Sequence, residues 1–155
     1  MLKIAILTRL AFSSIFLMGA PNFAHAQEAE GAEAAPVSQQ YPAPSPETFG
    51  TAQFVLSGNP VVPPRDYSKG IMMPSPKDYQ SNESGCIYDV VFLGLAADQM
   101  QFEIRGYGIA DLQYPETGQT IEFPSSLKRV EIRDLVINID EVTSGSITYR
   151  VQRLQ

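Results

Sequence analysis

The side chains able to do chemistry in this sequence are carboxylates, tyrosines and one thiol. Asp98, Asp111, Glu116, Asp140 and Glu141 fall in or beside segments rich in turn-forming residues. Two carboxylates facing one cleft can hydrolyse a glycosidic bond when their separation and acidities suit, and oxygen-rich turns can hold calcium. No regular spacing joins these five. They read as solvated turn residues, and no cofactor or metal is expected.

The only histidine is His25, in a segment expected to be removed. Without it the chain builds neither a Ser-His-Asp nor a Cys-His arrangement, nor the commonest zinc sites. Gly106-Tyr107-Gly108 is too short for a nucleotide-binding fingerprint and reads as a bend or bulge where a side chain would clash. Cys86 has no second cysteine to pair with. It is either a buried small hydrophobe or a thiol that reacts or pairs between chains. Asp89 interrupts the most apolar stretch of the sequence. If it points inward it requires hydrogen bonds or a cation, because an unpaired buried charge is costly.

Tyr67, Tyr79, Tyr88, Tyr107, Tyr114 and Tyr149 are aromatic amphipathic residues of the kind enriched at interfaces. Tyr88 and Tyr149 are expected in the core. Tyr67 and Tyr79 belong to an echo, Pro64-Arg65-Asp66-Tyr67 and then Pro76-Lys77-Asp78-Tyr79, twelve residues apart. This echo lies in a Pro/Ser/Gly-rich stretch over 58–85. Such a long loop inside a small domain is commonly functional or disordered. Its plain reading is two similar turns with tyrosines packed inward. Its functional reading is a recognition arm in which Tyr67, Tyr79, Arg65 and Lys77 contact a partner. Asn82-Glu83-Ser84 matches a glycosylation sequon, which matters only in a eukaryotic secretory host.

The elements that would position these residues begin after residue 26. Residues 1–26 carry Lys3 and Arg9, an apolar run over Leu10–Ala20, a Pro21-Asn22 break and Ala24-His25-Ala26. This is the layout of a secretory signal peptide, and its apolar run is shorter than the roughly 20 residues a membrane span needs. Cleavage keeps all 17 acidic residues and removes Lys3 and Arg9, two of the 11 basic ones, taking the formal charge from −6 to −8. So acidic a chain is not expected to bind nucleic acid or an anionic membrane, although Arg129, Arg133, Arg150 and Arg153 make its C-terminal end locally basic. No transmembrane segment is expected after cleavage. Residues 27–49, rich in Ala, Glu, Pro and Gln, read as a disordered spacer.

Residues 50–155 read as one β-rich domain. Gly50–Leu56 is a short strand with Phe54 and Leu56 on one side. Cys86–Leu95 is apolar on both faces, as a central strand would be. Met100, Phe102 and Ile104 alternate with Gln101, Glu103 and Arg105, a half-buried strand joined to the previous one through Ala96-Ala97-Asp98-Gln99 as a hairpin. Leu112 and Tyr114 alternate with Asp111 and Gln113; Ile121 and Phe123 form a further strand after a turn at 115–118. Val130 and Ile132, then Leu135, Ile137 and Ile139, alternate with a phase change at Asp134 that suggests a bulge or a change of sheet. Ile147, Tyr149 and Val151 follow a Ser144-Gly145 turn. Helical spacing over 127–141 would mix Glu131 and Asp134 into the apolar face, so period two fits better. Six to eight short strands without a covering helix predict an antiparallel β-sandwich, or a Greek-key-like or barrel variant.

The function expected from this reading is an exported, non-enzymatic β-domain in the periplasm or secreted. It would act in protein–protein contact or as a structural component of the cell envelope, with another envelope or extracellular protein as partner. The alternatives are a small-ligand or carbohydrate-binding module, which requires a tyrosine-lined pocket, and a carboxylate-dependent hydrolase.

Overall fold

A computed structural model describes residues 42–80 and 83–154. The expected signal peptide, residues 27–41 of the spacer and Asn82 of the sequon lie outside the described residues. Eight strands follow one another: β1 (Gln53–Leu56), β2 (Asn59–Arg65), β3 (Ser84–Ala96), β4 (Gln99–Gly108), β5 (Thr117–Pro124), β6 (Arg129–Ile132), β7 (Leu135–Val142) and β8 (Ser146–Arg153). They form two four-stranded antiparallel sheets, ordered β1-β8-β7-β6 and β2-β3-β4-β5. The expected β-sandwich is what the chain forms.

The core follows from side-chain alternation. Tyr88, Val90 and Phe92 of β3 and Met100, Phe102 and Ile104 of β4 point into the space between the sheets, where Val130, Ile132, Leu135, Ile137, Ile139, Ile147, Tyr149 and Val151 meet them. Phe92 and Phe102 pack with ring centroids 5.5 Å apart. Among the described residues no α-helix covers either sheet, and the apolar faces bury each other. Two tyrosines pin the layers together. Tyr149 on β8 donates to the Val61 carbonyl of β2 at 2.7 Å. Tyr88 on β3 donates to the Asp134 carboxylate at 3.3 Å and accepts from the Asp134 amide at 3.2 Å, at the β6–β7 turn.

The connections follow local turn chemistry. Ala97 and Asp98, with φ of 48° and 63°, make the two-residue β3–β4 turn anticipated from the sequence. Both φ values are positive, the conformation that matches strand twist in a tight hairpin. The phase change near Asp134 is neither a bulge nor a change of sheet. Ile132 pairs with Leu135, and Arg133 (φ 51°) and Asp134 form a second two-residue hairpin turn. A bulge does occur on β7, but at Asp140, where the register with β8 shifts between Ile139 and Glu141.

Three other expectations are corrected. The 58–85 segment is not wholly loop: Asn59–Arg65 is a strand despite Pro60, Pro63 and Pro64. It lies at a sheet edge, and its register with β3 shifts twice, the two settings in which a strand tolerates prolines. Residues 109–114, around Leu112 and Tyr114, hold no strand, only an isolated bridge between Gly108 and Asp111. The spacer ends before residue 49: Ser45 caps a 3₁₀ turn at Pro46–Thr48, Pro46 is buried, and Phe49 packs on the core, stacked 5.9 Å from Tyr67.

Candidate functional site

Two polar clusters and one apolar cleft stand out from the rest of the domain. The first cluster is built on β3 and β4, on the face of their sheet turned away from the core. Asp89 pairs across the strands with Arg105 and is buried, with 1% of its surface exposed. Arg105 grips the carboxylate with two nitrogens, Nε at 3.0 Å and Nη2 closer still, and the Tyr107 hydroxyl donates to it at 2.9 Å. The hydrogen bonds to Asp89 hold the Arg105 guanidinium above its ordinary range, and burial together with the Asp89 charge raises the Tyr107 phenol. The aspartate flagged by its position in an apolar strand has thus found the partners that burial demands. With its oxygens spent on a fixed arginine and a tyrosine, the carboxylate serves structure.

Gly106 and Gly108 lie on either side of Tyr107, where the β3–β4 register shifts between the Ser84–Gly108 and Ile87–Tyr107 pairs. A Cβ on Gly106 would lie 2.4 Å from Thr117 Oγ1, and one on Gly108 would lie 2.3 Å from Glu116 Oε1. The clash expected at these glycines is present, and so is a bulge, carried by β3 opposite them.

The second cluster ties the loop between β2 and β3. Asp66, 5% exposed, accepts from Ser68 Oγ at 2.6 Å and Tyr79 Oη at 2.9 Å. Lys69 Nζ lies 3.5 Å from its carboxylate and 3.9 Å from the centre of the Tyr79 ring. Burial would raise the pKa of Asp66, but the bonds from Ser68 and Tyr79 and the Lys69 charge outweigh it and hold the group below its ordinary value of 3.8. Arg65 fastens the loop further, donating to the carbonyls of Ile71 at 3.2 Å and Pro64 at 2.6 Å. Arg153, on β8 of the other sheet, donates to the Tyr67 carbonyl at 2.8 Å. Between these ties Met72 and Met73 stand out, 80% and 63% exposed.

The echoed motif therefore cross-links the loop without forming a structural repeat. Asp66 of the first copy accepts from Tyr79 of the second. The first copy ends a strand, whereas Pro76–Asp78 is a 3₁₀ turn. Of the four residues expected at a partner surface, Tyr67 is withdrawn: it is fully buried, packed 5.4 Å from Tyr88, with its hydroxyl on the Pro63 carbonyl. It offers nothing to a partner, because the strand leading into it carries its ring between the sheets. Tyr79 and Arg65 are half-buried and Lys77 is exposed. Met72 and Met73 were missed; their signal was an apolar pair inside a Pro/Ser/Gly-rich stretch.

Cys86 is exposed, which overturns its reading as a buried hydrophobe; at the start of β3 its side chain lies outside the core. The thiol lies 3.6 Å from Glu83 Oε1. Partial burial, that bond and the Glu83 charge raise its pKa above the ordinary 9.0, so it stays protonated at neutral pH and is a poor nucleophile.

The candidate carboxylates do not converge. Asp98 sits in the β3–β4 turn, at the opposite end of its sheet from Asp111 and Glu116, while Asp140 and Glu141 lie on the other sheet. Asp140 is paired with Arg150 at 2.8 Å, and Asp111 accepts from the amides of Gln113 and Tyr114. Among the described residues no group of three or more His, Cys, Asp or Glu side chains is placed to hold a metal ion, and no helix is long and apolar enough to cross a membrane.

The cleft lies along β1. Pro42, Pro44, Gln53, Phe54, Val55, Leu56 and Asn59 line a cavity of about 400 Å³. Val55 points to the core, while Phe54 and Leu56 are 61% and 45% exposed. The tyrosine-lined pocket required of a carbohydrate site is not what these residues build. No protein-family model, no curated protein and no solved structure matches the chain.

Proposed function

We propose that the protein is exported and works in the periplasm or outside the cell as a non-enzymatic β-domain. In this reading it binds another envelope or extracellular protein through the loop that follows β2. The observation that carries the reading is the exposure of Met72 and Met73, 80% and 63%, on a loop tied on both sides through Asp66 and Arg65. An exposed apolar tip costs solubility, and methionine adapts to varied partner surfaces. Holding the tip in place before contact lowers the entropy lost on binding. Tyr79 and Arg65 act as the frame, and Lys77 as a charged flank of the contact.

The test is an affinity capture from the native envelope fraction, with and without reductant, comparing the wild type with Met72→Ser/Met73→Ser. The wild type is expected to retain a partner that the variant loses. Equal recovery by both removes the loop from the interface. A reductant-sensitive partner would bring Cys86 into it.

The β1 cleft favours a second reading, binding of a small apolar ligand, since pockets of 300–1,000 Å³ with mostly apolar walls are typical ligand sites. Enhanced fluorescence of anilinonaphthalene sulfonate with the native protein, abolished by Phe54→Lys, would favour this reading. Absence of any enhancement would count against it.

A further inference from the structure

Among the described residues the two sheets leave four edges unpaired, and three of them are guarded. β2 carries Pro60, Pro63 and Pro64 and two register shifts. β1 is four residues long, with Pro42 and Pro44 beside it at the cleft. β6 is also four residues long and carries the ion pair Arg129–Glu131. Short length, proline, bulges and charge are the devices by which proteins stop an edge from pairing with another chain. β5 has none of them over most of its length. Its eight residues pair with β4 in unbroken register from Thr117 to Pro124, proline comes only at the end, and Glu122 is its single charge.

We propose that the edge of β5, unpaired among the described residues, is a strand-docking site for an extended segment of a partner protein in which apolar residues alternate with Lys or Arg. This adds a second contact surface beside the loop after β2 and rests on the reading of the domain as a protein-binding module. The alternation is dictated by the two faces of β5. Gln119, Ile121 and Phe123 follow Ile104, Phe102 and Met100 on the core side. Ile121 and Phe123 are half-buried against the core, and Phe123 packs edge-on to Phe102 at 6.2 Å. A fifth strand placed here would set its own inward residues beside Ile121 and Phe123 and finish covering them. On the opposite face Gly118, Thr120 and Glu122 neighbour Arg105, Glu103 and Gln101. Arg105 is committed to Asp89, and Glu122 accepts from Gln101 at 2.8 Å. Glu122 on β5, and Glu103 on β4, whose carboxylate reaches over Gly118 of β5, make this face negative; an incoming Lys or Arg would pair directly with Glu122 across the new ladder, the range in which opposite charges stabilise a sheet. Main-chain bonds would supply affinity and the alternate side chains selectivity.

The probe is a synthetic peptide, Val-Lys-Val-Lys-Val-Lys-Val, titrated into the whole protein with amide NMR as the readout. Shifts concentrated in residues 117–124 are expected, together with at least ten-fold weaker binding when the lysines are replaced by glutamates. N-methylation of alternate peptide amides should abolish binding in one frame and spare it in the other, because only one edge of the peptide faces β5; this control leaves the protein unaltered. No shift at β5, equal binding of the glutamate peptide, or indifference to the methylation frame would overturn the proposal. Concentration-dependent changes at β5 without peptide would assign the edge to a second copy and overturn it too. If the peptide fails while Met72→Ser/Met73→Ser still loses its partner, the binding-module reading stands and only the edge assignment falls.

Discussion

Replacing Asp89 with valine separates the cost of a broken buried ion pair from the value of the pair itself. The substitution removes three hydrogen bonds, two from Arg105 and one from Tyr107. It leaves a phenol hydroxyl without its acceptor on a residue only 3% exposed, which costs about 1–3 kcal/mol. It also leaves a guanidinium without its partner; breaking buried pairs costs about 3–5 kcal/mol. The Arg105 side chain keeps 17% of its surface exposed, so some hydration survives and the total should sit near the low end, about 3 kcal/mol. For a domain of this size that is a fall in Tm of roughly 12–20 °C. The triple change Asp89→Val/Arg105→Met/Tyr107→Phe removes every polar group at once and places valine between Ile87 and Val91 on the same face. Such apolar replacements are often neutral or stabilising, so the triple variant should unfold within about 1 kcal/mol of the wild type. Urea unfolding followed by near-ultraviolet circular dichroism of the tyrosines, seven in the single variant and one fewer in the triple one, measures both. A single variant within about 0.5 kcal/mol of the wild type, or a triple variant worse than the single one, would refute the account of Asp89 as a buried, fully satisfied ion.

Other consequences are equally concrete. Gly94 sits where the β3–β4 register shifts after Phe92, with φ of 127°, and a Cβ there would lie 2.9 Å from the Ser144 carbonyl oxygen; Gly94→Ala should cost about 2 kcal/mol in urea unfolding, and a neutral result would show that this bulge relaxes freely. The β3–β4 turn places Ala97 and Asp98 at positive φ, where Asn-Gly is favoured, so Ala97→Asn/Asp98→Gly should stabilise by about 1 kcal/mol, and a loss of stability would contradict the turn geometry. Burial raises the phenols of Tyr67, Tyr88, Tyr107 and Tyr149 above their ordinary 10.0. The neutral form is the one the folded state retains, so the stabilisation is complete below pH 10 and is lost as the pH rises beyond it. Their absorbance change at 295 nm should coincide with unfolding by circular dichroism; full ionisation with a native spectrum would refute their burial.

The legible part of the fold was the part where apolar alternation carries the energy. Met100, Phe102 and Ile104, or Ile147, Tyr149 and Val151, announce their strands because each alternate side chain is buried. β2 was hidden because Pro60, Pro63 and Pro64 argue against a strand, and only its edge position and broken register, properties of the assembled sheet, make them tolerable. The Arg133-Asp134 turn was hidden for a similar reason: arginine is an unusual residue at positive φ, and the inter-sheet bonds of Asp134 to Tyr88 and of Arg133 to the Gly85 carbonyl hold it there. Asp89 was correctly singled out as needing partners, but their identity depended on the β3–β4 register. The candidate surface was half legible. Arg65, Lys77 and Tyr79 lie on the loop or its frame, yet Tyr67 turns inward, because proline and tyrosine content does not reveal which ring the chain carries into the core.

The most direct measurement of the central claim, contact with a protein partner through the Met72–Met73 tip, is photocrosslinking in intact cells. A benzophenone side chain would replace Met73 in one experiment and Gln152, exposed on β8, in a control. A discrete adduct from position 73 and none from position 152 is the predicted result. No adduct at 73, or the same adducts from both positions, would contradict the claim.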